Sequence, residues 1–103
     1  MTLVRLTRAA EADIEKVAAW YEGKRDGLGV QFVERVDQAI QKISETPLGY
    51  ERIIREVRRV NVSRFPYALW YRVEGDAVVI ACLHAKRDPR LAKERARGIL
   101  KMP

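Results

Sequence analysis

Apolar positions in the first half of the chain recur with the period of an α-helix. Between residues 10 and 21 they are spaced by four, three and four residues, on one face of a helix that should end before Gly23. The residues on this face are Ala10, Ile14, Val17 and Tyr21. A second helical pattern runs from Val30 to Ser44 and ends at Pro47, because proline cannot continue the hydrogen-bond ladder. Its predicted buried face carries Val33, Val36, Ile40 and Ile43.

The second half of the chain alternates with the period of two that a half-buried strand requires. The alternating apolar positions are Tyr67, Leu69, Tyr71 and Val73. Residues Ala77 to Leu83 are apolar throughout, which is typical of a central strand covered on both faces. Between these segments, residues Glu74 to Asp76 favour a turn. We therefore predict three consecutive antiparallel strands, at 54–62, 66–74 and 77–85.

These patterns predict a single domain of the α+β class over residues 1–103. An N-terminal strand at 2–6 should precede an antiparallel helical hairpin, which packs on a mostly antiparallel sheet in the order β-α-α-β-β-β. A C-terminal helix is predicted from Arg90 to Leu100, with Asp88 as its cap and Pro89 in its first position.

Composition narrows the class of protein. The chain is 48% hydrophobic and 33% charged, as in a soluble globular domain, and it contains no apolar run long enough for a transmembrane helix. The first residues lack the pattern of a signal peptide, so we expect a cytoplasmic protein that does not associate with membranes. The lone cysteine, Cys82, lies in an apolar strand, where a packing role in a reducing compartment is expected.

Positive charge is concentrated near the ends of the predicted strands. The chain carries a net charge of +6 and a pI near 9.8, which favours an acidic partner, either nucleic acid or an acidic protein segment. In a meander the start of each strand lies near the end of the next, so side chains that are distant in sequence can converge. We call this predicted set the cationic rim: Arg58, Arg59, Arg64, His84, Lys86, Arg87 and Arg90.

The sequence lacks the residue sets that most enzyme classes require. One histidine and one cysteine do not make a zinc site, and no glycine-rich phosphate loop is present, so no metal or cofactor is expected. A Cys82 and His84 dyad is disfavoured, because an apolar strand holds the thiol neutral. The rim itself fits a solvated surface, a contact to nucleic acid or an acidic partner, or metal-free RNA cleavage in which arginines stabilise the developing phosphorane charge.

Four short motifs resemble the RelE/ParE superfamily of bacterial toxins from type II toxin-antitoxin systems. They are P-x-x-Y at Pro47 and Tyr50, R-R-V-N-V-S-R-F-P-Y from Arg58, W-Y-R-V from Trp70, and H-A-K-R-D-P from His84. The resemblance spans nearly the whole chain. The motifs together are most similar to those of the ParE, or plasmid-stabilisation, branch.

The resemblance implies a small basic toxin that a cognate antitoxin silences in a hetero-oligomer. ParE-type toxins inhibit DNA gyrase, whereas RelE-type toxins cleave messenger RNA on the ribosome, and the shared fold does not separate them. RelE-type enzymes commonly place an arginine where this chain has Ala68, and they use an aromatic or histidine residue near the C-terminus, yet no tyrosine follows Tyr71. We therefore favour gyrase inhibition over RNA cleavage. A relative that only binds its antitoxin is a third alternative.

Site residues follow from this interpretation. The whole cationic rim is the predicted surface for the target, and in the nuclease alternative the catalytic candidates are Arg58, Arg59, His84 and Arg87. An acidic antitoxin segment is expected to bind a basic surface with apolar anchors. The predicted anchors are Trp20, Leu91 and Arg95, because aromatic and arginine side chains dominate interface energetics.

Overall fold

The computed structural model describes the backbone of residues 1–87 and 89–101, and the side chains of residues 1–87 and 90–97. Its elements are β1 (Val4–Leu6), α1 (Arg8–Lys24), α2 (Leu28–Glu45), β2 (Arg52–Ile54), β3 (Val57–Asn61), β4 (Tyr67–Glu74), β5 (Asp76–His84) and α3 (Pro89–Lys101). The five strands form one sheet in the order β1-β5-β4-β3-β2. Strand β1 is parallel to β5 and the other pairs are antiparallel, which confirms the predicted α+β architecture.

The predicted strand at 54–62 is instead two short strands. Strands β2 and β3 pair as a tight hairpin in which Ile54 lies opposite Val57, so Arg55 and Glu56 form the turn. Arg55 has a positive φ of 50°, a conformation that glycine or asparagine adopts more easily. The turn therefore lacks the residues that would have predicted it.

The helices are longer than their predicted bounds. Helix α1 continues past Gly23 to Lys24, and α2 begins at Leu28. Thr7 caps α1 by accepting a hydrogen bond from the Ala10 N–H at 3.1 Å. The Glu22 carboxylate accepts the N–H groups of Gly27 and Gly29, so it caps the start of α2 and fixes the connection of the hairpin.

One face of the sheet packs against the helical hairpin. The buried residues of α2 are spaced by three and four, and most of them belong to one apolar cluster with Leu69 and Tyr71 of β4. They are Gly29, Phe32, Val36, Ala39 and Ile43. The predicted phase was wrong at one position, because Val33 is 38% exposed while Phe32 is fully buried.

The other face of the sheet packs against α3. Ala92 and Ala96 are buried over Trp70 of β4 and Ile80 of β5, so β5 is covered on both faces, as its uninterrupted apolar run predicted. Helix α3 begins at Pro89, and its predicted cap, Asp88, lies outside the described residues. Among the described helices, none is long and apolar enough to cross a membrane.

Candidate functional site

A groove runs between α1 and α3 along the end of β5. Its volume is about 1080 Å³, and it brings together all three predicted antitoxin-binding residues with two members of the cationic rim. These five residues are Trp20, His84, Arg87, Leu91 and Arg95. Trp20 is 56% exposed and Leu91 is 38% exposed, so both offer apolar surface to a partner. We call this feature the α1–α3 groove.

An ion pair joins the two helices across the floor of the groove. Arg95 of α3 binds both carboxylate oxygens of Asp13 of α1, with Nη2 2.9 Å from Oδ1. Asp13 Oδ2 also accepts the backbone N–H of Cys82 at 3.0 Å, and Arg95 Nη1 donates to the carbonyl of Ile80 at 3.3 Å. The two side chains of this ion pair therefore bond backbone groups on the edge of β5, at positions beyond the end of β1.

Beyond this ion pair, the edge of β5 faces the groove. Strand β1 pairs with β5 only as far as Leu6 opposite Val79. Because Ala85 N–H bonds the Pro66 carbonyl on the β4 side, the preceding residue, His84, turns its backbone the other way. An edge of this kind can pair with an added extended segment.

His84 holds the turn that follows β5. Its Nδ1 accepts the backbone N–H groups of Lys86 and Arg87, each at 3.2 Å, and its ring packs edge-to-face on Tyr67 with centroids 5.6 Å apart. The neutral ring therefore carries its hydrogen on Nε2. While both bonds are kept, Nδ1 does not serve as a proton acceptor.

The two neighbouring arginines of β3 lie on opposite faces of the sheet. Arg58 Nη1 donates to the carbonyls of Leu48 at 3.3 Å and Tyr50 at 2.5 Å, so it fixes the loop that follows the helical hairpin. Arg59 lies 5.4 Å from the centroid of the Trp70 ring and donates to the Ala85 carbonyl at 3.4 Å. Arg58 thus does not join the rest of the predicted cationic rim.

The other rim residues lie nearer to one another. Arg64 is exposed in the turn before β4, with a positive φ of 71°, and Lys86 and Arg87 are exposed in the turn after β5. The bond from Ala85 N–H to the Pro66 carbonyl holds these two turns side by side. Arg90 follows, exposed, in the first turn of α3. Five cations therefore lie at the same end of the sheet as His84 when Arg59 is included.

Aromatic side chains form the wall of the groove next to α1. Tyr21 contacts the rings of Phe65 and Tyr67, with centroids 4.8 and 6.2 Å apart. Burial raises the pKa of Tyr21, and Tyr67 raises that pKa further while Arg87 opposes the change. The phenol is therefore a neutral hydrogen-bonding group at physiological pH.

The candidate nucleophile is inert. Burial raises the pKa of the Cys82 thiol to about 12, with a smaller contribution from Asp13. The thiol stays protonated at neutral pH, as its place in an apolar strand predicted. Ala68, where RelE-type enzymes commonly place an arginine, is fully buried between β3 and β5.

Sequence reasoning missed the groove residues that act through distant partners. Asp13 lies 82 positions from Arg95 along the chain, and nothing in the local pattern of α1 separates it from the other acidic residues of that helix. Tyr21 and Tyr67 were assigned to the core, although both also line the groove. Their periodic spacing correctly indicated burial but not their position at the groove's edge.

Comparison with known proteins places these observations in a family. A family model described as the ParE toxin of type II toxin-antitoxin systems matches residues 4–89. The Sinorhizobium fredii protein Y4kP, which is described as a toxin, is 23% identical over 86 residues, covering 82% of this chain and 90% of its own. A solved structure of a chromosomal ParDE toxin-antitoxin system from P. aeruginosa superposes with a TM-score of 0.71 at 18% identity. The match covers 84% of this chain and 98% of that one.

Proposed function

The chain belongs to the ParE toxin family of type II toxin-antitoxin systems, and we propose that it arrests growth by poisoning DNA gyrase until a cognate antitoxin binds it. The observation that carries this proposal is the engagement of the polar side chains that a nuclease would need. One nitrogen atom of each side chain, Nη1 of Arg58 and of Arg59 and Nδ1 of His84, bonds backbone atoms of the same chain. Arg59 and His84 then belong to a surface that binds a target without chemistry of its own, whereas Arg58 lies on the other face of the sheet and supports the fold.

The RNA-cleaving alternative requires a proton acceptor for the 2′-hydroxyl and a cation beside the phosphate. Nδ1 of His84 is occupied by two N–H groups, and Arg58 lies on the opposite face of the sheet from Arg59. Of the four catalytic candidates, only Arg87 has an exposed side chain that lines the groove. The geometry therefore favours target binding by the end of the sheet around His84 over cleavage there.

The test combines two assays on one purified preparation of the toxin. Plasmid supercoiling by purified gyrase should be lost, or linear plasmid should accumulate, when the toxin is added. Messenger RNA on translating ribosomes should stay intact at the same toxin concentration. Intact supercoiling together with cut messenger RNA would overturn the proposal and make Arg87 and His84 catalytic candidates.

The target surface can be tested by removing charge at the end of the sheet. We propose that Arg64, Lys86 and Arg87 contact the gyrase complex, since their exposed guanidinium and ammonium groups lie together in two adjoining turns. A variant with all three changed to Gln should lose growth inhibition at normal expression. The matched control is Arg8, Arg25 and Lys42 changed to Gln, which removes the same charge from exposed positions of the helical hairpin outside the groove. Equal activity of both variants with wild type would exclude this surface.

We also propose that the antitoxin segment occupies the α1–α3 groove. The groove offers Trp20 and Leu91 as apolar anchors, Lys16 and Arg87 as cations, and the open edge of β5 for backbone pairing. An acidic, partly extended segment complements all three features. Toxin and antitoxin would then form a hetero-oligomer in the cytoplasm.

Binding measurements with the antitoxin encoded beside this chain test that placement. Trp20→Ala should weaken binding by roughly tenfold or more, because exposed aromatic anchors commonly contribute about 2 kcal/mol at interfaces. Val30→Ala, at a similarly exposed residue on α2, is the control and should bind normally. If the two variants bind equally well, the groove is not the antitoxin site. Full binding without growth arrest in the wild type would favour a relative that only binds its antitoxin.

A further inference from the structure

Arg72 is buried on the face of the sheet that α3 covers. Its side chain is only 7% exposed, and its Nη2 pairs with Glu74, a carboxylate that is 60% exposed. Its Nε is buried without a hydrogen-bond partner among the described residues. A buried guanidinium with one solvent-exposed partner is incompletely compensated, because each unmet donor loses its bonds to water.

A small pocket opens beside this guanidinium. It lies between the β2–β3 turn and α3, and its volume of about 10 Å³ is the size of one water molecule or one ligand oxygen. Its lining residues are Ile54, Arg55, Glu56, Val57, Arg72, Lys93, Ala96 and Arg97. We call it the Arg72 pocket.

The charged side chains that line the Arg72 pocket are mostly positive. Three further cations line it, Arg55, Lys93 and Arg97, and all three are exposed at its mouth. Glu56 is the one carboxylate among the described lining residues. Like charges that line one small pocket repel, so an anion at its mouth would lower the free energy of the whole cluster.

The turn that contains Arg55 has a strained backbone. Arg55 takes a positive φ of 50° in a two-residue hairpin, where glycine at this position would be less strained. The strain places an arginine beside Lys93 and Arg97 of α3. Backbone strain of this kind is often retained where a ligand is bound.

We propose that the Arg72 pocket binds an oxyanion of the phosphate class, with one oxygen inside the pocket and the others against Arg55, Lys93 and Arg97. A tetrahedral oxyanion offers several acceptors in different directions, which matches one buried guanidinium and three cations around a one-oxygen pocket. The ligand is a phosphate of a polynucleotide backbone or free inorganic phosphate. This site lies on the α3 face, and it stands whether or not gyrase is the target.

The binding test uses the full chain and three probes: inorganic phosphate, a short DNA duplex and a glutamate-rich peptide. The readouts are the melting temperature and the Nε–Hε resonance of Arg72 in NMR spectra. Phosphate should raise the melting temperature by about 3 °C or more over chloride at equal ionic strength, and it should shift the Arg72 resonance. A duplex that acts where inorganic phosphate does not would support the proposal and identify a polynucleotide as the source.

A charge-matched pair of variants localises the effect. Lys93→Gln with Arg97→Gln should weaken binding about tenfold and lower the salt dependence of duplex binding by about one to two in logarithmic slope. Arg8→Gln with Lys42→Gln removes the same charge from the helical hairpin and should bind like wild type. The proposal is overturned if the Arg72 resonance responds to none of the probes, or only to the peptide. Equal weakening in both variant pairs would also overturn it.

Discussion

The two faces of the sheet are covered in different ways. The hairpin face carries interlocked aromatic and branched side chains, among them Phe32, Ile43 and Leu69, all fully buried. The α3 face is covered by the small side chains of Ala92 and Ala96. Among the described side chains, the two buried nitrogen atoms without a hydrogen-bond partner belong to Trp70 and Arg72, and both residues face α3.

This difference separates stability from binding. Each buried donor without a hydrogen bond costs roughly 1–3 kcal/mol of stability. A ligand or partner that bonds these donors on the α3 face would therefore stabilise the protein. The hairpin face has its polar groups paired, as in the bond from the Tyr71 hydroxyl to the Pro47 carbonyl at 2.7 Å. We therefore expect substitutions on the hairpin face to unfold the protein, and substitutions on the α3 face to change what it binds.

The largest effect is expected in the hairpin core. Phe32→Ala should destabilise the fold by about 3–5 kcal/mol, because it removes a fully buried ring and leaves a cavity. Its neighbour Val33, which is 38% exposed, is the control, and Val33→Ala should cost under about 1 kcal/mol. Urea titrations of both variants give the comparison. Similar losses would mean that the hairpin face is not the source of stability.

A smaller loss is expected where α1 meets α3. Asp13→Asn should cost about 2 kcal/mol, because it leaves Arg95 partly buried without its charged partner. The side chains of this pair are 15% and 23% exposed, in contrast to 44% and 61% for Asp76 and Arg5. Arg5→Gln should therefore cost less than about 1 kcal/mol. Thermal melts of both variants in low and high salt measure the two losses. Equal losses would contradict this prediction.

High pH should lower the stability of the protein through two residues on the hairpin face. The pKa of Cys82 is raised from 9.0 to about 12, so the unfolded chain loses this proton first and stability falls as pH rises above 9. By about pH 10.5 the loss should reach about 2 kcal/mol. Burial also raises the pKa of Tyr71, which adds to the loss above pH 10.

The Cys82→Ala variant checks the origin of that loss. Its free energy of unfolding should change less between pH 8.5 and about pH 10.5 than that of the wild type, whatever its stability at neutral pH. Urea titrations at a series of pH values give the slopes. An unchanged slope in the variant would assign the alkaline loss to other groups.

The smallest effect on stability is expected at the Arg72 pocket. Lys93→Gln with Arg97→Gln should change the free energy of unfolding by less than about 0.5 kcal/mol, because both side chains are exposed and lie among like charges. Urea titration in phosphate-free buffer measures this. A loss as large as that of Asp13→Asn would show that these cations support the fold.

Local periodicity predicted the elements of the fold and most of their contacts. It failed where the decisive interaction is not local in sequence. The turn at Arg55 and Glu56 has no turn-forming residues, so β2 and β3 read as one strand. Val33 and Phe32 are both apolar neighbours on α2, and their burial depends on how the helix is rotated against the sheet.

The site was predicted in part for the same reason. Trp20, Leu91 and Arg95 were chosen as anchors on residue type and do line one groove. Arg58 was grouped with Arg59 because both were expected near converging strand ends, but successive residues of a strand point to opposite faces. Asp13 and Arg72 gave no signal, since the first depends on a partner 82 positions away and the second on burial under α3.

Native-state hydrogen exchange tests the difference between the two faces most directly. Amide protons of α3 should exchange through local opening, at a free energy at least about 2 kcal/mol below that of global unfolding and with little dependence on urea. Amide protons of α2 and β4 should exchange only when the whole domain unfolds. Equal free energies and equal urea dependence in α3 and α2 would contradict the account, because the sheet's two faces would then form one cooperative unit.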